Sequence, residues 1–316
     1  MIPADARPRL YPWFRVVRDR DAYLFEYGGQ LVRIAGPQAV PLLTALLPLI
    51  DGRLTVEEIQ RRLGEWDGEA VVRVLSALKG NGIVAVAGSS PLSGEDGDLL
   101  TAIMGGREND APVDRARVGV LGTGSLAQAV TRLISASGVV AARAVTVDDP
   151  PTTLDLVVVA VQGEDLSRLD SWNRRMLECR QSWLLVLPFD GAYGTVGPLF
   201  IPGETACYAC FQTRRRSVLE DPDIARLYDD LPAYHPMGAG VTSLLAGLAV
   251  HLALRWILRR DAWIGGMLYA VGLMPHPTVS AHEVWPVPRC PVCRPLSQHT
   301  PAPWFPEQAE PAQSPT

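Results

Sequence analysis

The sequence predicts an α/β protein in which a small winged-helix-like unit is followed by a larger, doubly wound domain. Two patterns and one absence carry this reading. Up to residue 88, short apolar runs lead into three stretches of helical spacing, and from Arg117 the rhythm becomes strand, glycine turn, helix, strand. No internal repeat runs through either part. The expected organisation is a domain over 1–88, a linker over 89–114, an α/β domain over 115–296 and an unfolded tail over 297–316.

In the first unit, WFRVVRD, AYLFEY and QLVRIA read as strands, and Gly28-Gly29 supplies a tight hairpin turn between the second and third. Gln38 to Leu49 is apolar at helical spacing. Thr55-Val56-Glu57-Glu58 is a capping box that opens EEIQRRL, and Gly68 to Lys79 places Val72, Leu75 and Leu78 on one face. Gly80-Asn81-Gly82 stops that helix and IVAVA returns as a strand. The expected order is therefore three strands, three helices and a final strand. In the second unit, RVGVLGTGSLAQAVTRLI is a strand, a glycine-rich turn and an amphipathic helix, while AARAVTVDD, LDLVVVAV and SWLLVLPF are further buried strands.

Composition narrows the function. The chain has 316 residues, 47% hydrophobic and 20% charged, enough for real cores. Lys plus Arg total 29 against 34 Asp plus Glu, a net charge of -5 that gives no general attraction to nucleic acid or anionic lipid. Lys79 is the sole lysine. The first twenty residues lack the apolar run of a secretory signal, so a cytoplasmic, reducing compartment is expected, in which cysteines are metal ligands or free thiols. Gly238 to Leu258 is nearly all apolar but contains His251 and Arg255, which favours a buried core helix over a membrane span.

Cys207-Tyr208-Ala209-Cys210 and Cys290-Pro291-Val292-Cys293 are two CxxC half-sites. Together they make a closed tetrahedral set, a structural zinc site with no open position for substrate. Cys179 is expected to be a buried free thiol, and Arg214-Arg215-Arg216 a solvated helix face. His235, His251, His276 and His282 form no ligand set, and Ser125 and Ser243 lack a catalytic triad. Gly122-Thr123-Gly124-Ser125-Leu126-Ala127 has the context of a nucleotide-binding turn, with Asp148 or Asp149 as ribose partners; the same glycines also serve helix packing.

Gly122 to Ala127, LDLVVVAV, GPLFIPGETACYAC and VPRCPVC together resemble the ThiF/MoeB superfamily of adenylating enzymes, whose Rossmann-like domain carries structural zinc on such cysteine pairs. The resemblance covers about Arg115 to Pro295. Where that family has an Asp-Asn that positions magnesium, this chain has Gln162 and Gly163, and it has neither the Asn-x-x-Arg motif nor a lysine beyond Lys79. Adenylation needs those cations and the metal to stabilise charge on the transferred phosphates, so ATP chemistry is not expected.

The N-terminal unit, through YLFEYGGQLVRIAGPQAVPLLTALL and DGRLTVEEIQRRL, resembles the PqqD-like element that recognises leader peptides of ribosomally made, modified peptides. The combination resembles the Ocin-ThiF-like proteins, leader-binding partners of YcaO cyclodehydratases, which form azolines in thiazole/oxazole-modified peptides and thiopeptides. That resemblance implies a catalytically inactive adaptor, commonly a homodimer, that serves a YcaO enzyme in trans. It places the leader as a strand along Gln30, Leu31, Val32, Arg33 and Ile34, with Arg33, Arg73 and Lys79 available to acidic leader residues. The rival readings are an adenylating enzyme acting on a peptide, an NAD-type oxidoreductase, and a winged-helix DNA regulator, the last disfavoured because Gly68 to Gly80 presents only Arg73 and Lys79 beside Glu69.

Overall fold

A computed structural model describes residues 2–87, 116–137, 139, 141–146, 148, 154–219 and 237–294. The expected linker over 89–114, the expected tail over 297–316, Asp149 and His235 lie outside these residues.

The first unit has one strand more than its sequence suggests. Strand β1 (Arg7–Leu10) precedes β2 (Arg15–Asp19), β3 (Ala22–Tyr27) and β4 (Gln30–Ala35), and β5 (Val84–Ala87) closes the unit. Strands β2, β3 and β4 form an antiparallel meander, but β5 does not join it. It pairs with β1, from Arg7 opposite Ala87 to Leu10 opposite Val84. RPRL escapes a pattern reading because Pro8 and two arginines look like a loop, yet a two-stranded ribbon tolerates a proline. Gly28 and Gly29, at φ +58° and +79°, make the two-residue turn between β3 and β4 as expected.

Helix α1 (Ala39–Leu46) passes into a 3-10 turn at Leu47–Leu49, where Pro48 cannot donate the next helical hydrogen bond. Helices α2 (Val56–Arg62) and α3 (Gly68–Gly80) follow. Thr55 Oγ1 accepts from Glu58 N at 3.2 Å and Glu58 returns a carboxylate to Thr55 N at 2.8 Å, and the hydrogen bond from that backbone N–H holds the Glu58 carboxyl below its usual range. Thr55→Ala is expected to cost about 1 kcal/mol of this unit's stability in denaturant titration. Phe25, Leu43, Leu46, Ile59, Leu75 and Leu78 are fully buried in one core.

The second unit is a seven-stranded mixed sheet in the order β12-β11-β10-β9-β8-β6-β7. Strands β6 (Arg117–Leu121), β7 (Ala141–Val145), β8 (Leu156–Val159) and β9 (Trp183–Leu187) are parallel. Strands β10 (Tyr193–Phe200), β11 (Met267–Gly272) and β12 (Thr278–Glu283) extend the sheet antiparallel, an addition that the doubly wound expectation lacked. Alternation divides the buried strands between two layers. Val118, Val120, Leu156, Val158, Leu184 and Val186 face helices α4 (Ser125–Ala136) and α7 (Ala239–Arg259). Val157, Val159, Trp183 and Leu185 face α5 (Leu169–Glu178), α6 (Tyr208–Ser217) and the cysteines.

Helix α7 is, among the described residues, the helix long and apolar enough to cross a bilayer. Leu245, Ala246, Ala249, Leu252, Ala253 and Trp256 instead enter the sheet's core, as the interrupted apolar run predicts. Its small residues admit close approach to the strands. Arg260 ends it in the left-handed conformation at φ +47°.

Candidate metal centre and sheet edge

Cys207 is the N-cap of α6, so Cys210 follows one helical turn on, and a turn after β12 brings Cys290 and Cys293 to the same place. The sulfurs of Cys207 and Cys210 lie 3.8 Å apart, those of Cys207 and Cys290 3.8 Å, and those of Cys210 and Cys293 3.6 Å. All four lie within 4.8 Å of one another. These separations are far too long for disulfides, which need about 2.0 Å. A tetrahedral ion with metal–sulfur bonds near 2.3 Å requires sulfurs about 3.8 Å apart, so the donor set fits a metal ion with no atom moved far.

Without a cation the surroundings disfavour charge on two of the four sulfurs. Burial pushes the Cys207 thiol up to about 11, and burial together with the neighbouring Cys207 pushes Cys293 higher still. Burial acts upward on Cys290 too, but hydrogen bonds from the backbone N–H groups of Cys293 and Val292 outweigh it and draw the thiol down to about 7. Val287 N–H donates to Cys210 Sγ at 3.3 Å.

Two supports went unread in the sequence. Arg214 donates to the carbonyls of Trp285 and Pro286, the latter at 3.2 Å, and so ties α6 to the segment that delivers the second half-site. Arg215 pairs with Asp190 at 3.6 Å. The arginine run is thus no simple solvated face. Asn173, buried in α5, accepts from Tyr208 N at 3.0 Å and anchors the start of α6. Cys179 is a correction: it is exposed, because α5 turns Leu169, Trp172 and Met176 inward and ends at Glu178, leaving Cys179 as the cap.

In the first unit, β4 is an outer strand of the meander. Val32 and Ile34 are half-buried on the core side opposite Phe25 and Tyr23, whereas Leu31 is 60% exposed. A two-residue hairpin makes Tyr27 and Gln30 the first hydrogen-bonded pair, and alternation then makes Val32 and Ile34 bond inward to β3. The Gly36 N–H to Asp21 carbonyl contact at 3.4 Å continues that alternation. The backbone groups of Leu31, Arg33 and Ala35 therefore point outward, and no described residue pairs with them in a sheet. The cations expected to serve a leader have local partners: Arg33 pairs with Asp21 at 3.1 Å, Arg73 with Asp67 at 3.5 Å and Glu69 at 3.4 Å, and Lys79 is also engaged. Strand β2 is the other outer strand, with Val17 exposed.

The glycine turn after β6 is shaped by packing. A Cβ on Gly122, at φ +133°, would stand 2.2 Å from the Ala160 carbonyl oxygen. A Cβ on Gly124 would meet Gln162 at 3.1 Å, and the Gln162 amide nitrogen is buried without a partner among the described residues. Asp148 is held by Arg168 at 2.7 Å. Gly122→Ala is expected to destabilise this domain by about 3 kcal/mol in denaturant titration, since main chain must move and φ is unfavourable.

No family model and no curated protein matches the sequence. Solved structures do match in fold. The chain superposes with a TM-score of 0.72 on a heterocyclase in complex with substrate and cofactor, at 22% identity, covering 90% of this chain and 39% of that one. The fold is shared with heterocyclases. The heterocyclase TruD gives 0.69 at 22% identity, over 91% of this chain and 43% of TruD. This chain spans about two-fifths of the length of those chains. E. coli MccB, solved with ATP, gives 0.57 at 14% identity, over 90% of this chain and 99% of MccB. MccB, a microcin C7 biosynthetic enzyme, has also been solved in complex with N-formylated MccA.

Proposed function

We propose that this chain is a non-catalytic adaptor that binds the leader of a ribosomally made precursor peptide and presents it to a separate YcaO cyclodehydratase, for azoline or azole formation in the cytoplasm. The observation that carries the binding role is the open edge of β4, with alternate backbone groups directed outward beside half-buried Val32 and Ile34. A peptide added there gains main-chain hydrogen bonds for affinity and side-chain contacts for choice. The cyclodehydratase partner is inferred from the fold likeness to a heterocyclase solved in complex with substrate and cofactor, of which this chain covers 39%. Holding the precursor raises its concentration at the partner's active site without chemistry here.

The cysteine centre serves as a structural zinc site, its four thiolates from Cys207, Cys210, Cys290 and Cys293 completing the coordination. Such a zinc supplies folding energy and takes no part in a reaction. The whole adaptor is expected to act as a homodimer.

An ATP-dependent adenylating enzyme acting on a peptide is the second reading, supported by the similarity to MccB over 99% of its length. Against it stand Gln162 packed on Gly124 where a magnesium-binding carboxylate would be needed, and the lack of lysine beyond Lys79. The deciding experiment titrates the full chain with a labelled leader peptide from a precursor encoded beside it, with and without ATP and magnesium. Tight binding indifferent to ATP, with no peptide-dependent pyrophosphate exchange, supports the adaptor. Robust exchange would replace it with the enzyme.

A further inference from the structure

Strand β12 is an outer strand of the seven-stranded sheet, and all six of its residues are exposed. It has no proline, lysine or bulge, the usual guards of an open edge, and it pairs with β11 in unbroken register from Glu283 opposite Met267 to Thr278 opposite Gly272. Val284 N–H donates to the Gly266 carbonyl at 2.9 Å, so alternation turns the backbone groups of Thr278, Ser280 and His282 toward β11. Those of Val279, Ala281 and Glu283 point outward, and no described residue bonds to them in a sheet. Large apolar side chains stand exposed at both ends of the strand. Met274, in the turn before it, is 84% exposed, and Trp285, just after it, is 59% exposed.

The outward groups are spaced evenly about Ala281, and that symmetry selects the occupant. A second copy laid antiparallel, with Ala281 against Ala281, sets Val279 opposite the partner's Glu283 and Glu283 opposite the partner's Val279, so every outward residue exchanges main-chain bonds. Just beyond the strand, Trp285 then falls toward the partner's Pro277, beside the turn that carries Met274. The neighbouring registers are poorer. Sliding the copies one way sets Glu283 against Pro277, which has no N–H to give. Sliding them the other way sets Val279 against Trp285, whose carbonyl already accepts from Arg214, and brings His282 onto His282. Charge agrees with the central register. The two Glu283 positions then stand about 14 Å apart along the strands, four residues at about 3.4 Å each. His282, hydrogen-bonded to its own Ser280 at 2.9 Å, faces the partner's Ser280 instead of a second imidazole.

We propose that β12 is the surface on which two copies of this chain pair, joining their sheets into one across a two-fold axis at Ala281. The proposal rests on the homodimer reading above and gives it a surface, a register and a symmetry. An edge of this size makes a weak dimer that dissociates on dilution. Sedimentation velocity of the full chain over a concentration series reads the association, and circular dichroism melting checks that each variant is folded. The unchanged chain passes from monomer to dimer as concentration rises. Ala281→Pro stays folded, because the N–H it removes points away from β11, and it remains monomeric throughout the series. Val279→Glu, set against the partner's Glu283 twice in the dimer, raises the dissociation constant roughly tenfold, whereas Val279→Lys, set against the same carboxylates, does not weaken it. A dimer that survives Ala281→Pro belongs to another surface and overturns this interface while leaving the homodimer reading in place. A chain that is monomeric at every concentration overturns both. Equal weakening by Val279→Glu and Val279→Lys overturns the register and the axis at Ala281. Arg33→Pro leaves the association unchanged, so a failure at the leader edge is distinguishable from a failure here.

Discussion

On the proposed zinc site, Cys207→Ser is expected to remove one of four ligands, abolish stoichiometric zinc and lower the melting temperature of the α/β domain by roughly 10 °C. The magnitude follows from the loop that the centre closes. Cys207 and Cys290 are 83 positions apart, and a cross-link over that span is worth about 4 kcal/mol through the unfolded state, at 2–4 °C per kcal/mol for a domain of this size. Elemental analysis and thermal unfolding, each with and without chelator, check both effects. Acid should act in the same direction. Without metal, Cys207 rises to about 11 and Cys293 is pushed up as well, so both carry protons at neutral pH that zinc must displace. Every thiol that carries a proton must lose it to become a ligand, so the affinity falls steeply with acidification. Zinc retention that is flat between pH 7 and pH 5 would contradict thiolate ligation by this set.

Arg33→Pro is expected to weaken leader binding by more than tenfold while the N-terminal unit stays folded. The Arg33 N–H points away from β3, so proline removes a bond to the incoming strand and none within the meander. Loss of the ion pair to Asp21 is a minor component, since both side chains are largely exposed, and Arg33→Gln isolates it. Val32→Pro is the contrasting change: its N–H bonds inward to β3, so the expected result is lost stability rather than a clean binding defect. Peptide titration by fluorescence anisotropy beside circular dichroism melting separates the two. Full leader affinity in Arg33→Pro would place the peptide on another surface, with β2 the next edge to test.

Much of this was legible in the chain. Helical spacing locates the three helices before β5, Thr55-Val56-Glu57-Glu58 spells the capping box, and the two CxxC pairs mark a single centre although 80 positions separate Cys210 from Cys290. Short-range rules suffice there because each signal is local and chemically distinctive. The misses share a cause. RPRL becomes a strand only because VAVA, far along the chain, lies beside it, and β10 to β12 join an otherwise parallel sheet through long-range pairing that no window of sequence contains. Arg214 looked like one cation among three because its carbonyl partners at Trp285 and Pro286 are 71 and 72 positions away. The glycine turn was ambiguous for a different reason. Nucleotide binding and close packing select the same residue, and only the 2.2 Å approach to the Ala160 carbonyl shows how strongly packing alone demands it.

The division of the cysteines along the chain also sets a timetable. Cys207 and Cys210 leave the ribosome first, and at roughly 5–20 residues per second the second pair follows roughly 4–16 s later. Throughout that interval the first half-site is a bare dithiol at the mouth of α6, with Arg214 still lacking the carbonyls it will grasp. Nascent chains therefore pass through a stage in which two-cysteine capture of a metal, or oxidation, competes with correct closure. On the proposed structural-zinc reading, supply of the ion during synthesis therefore bears on how many molecules reach the native state.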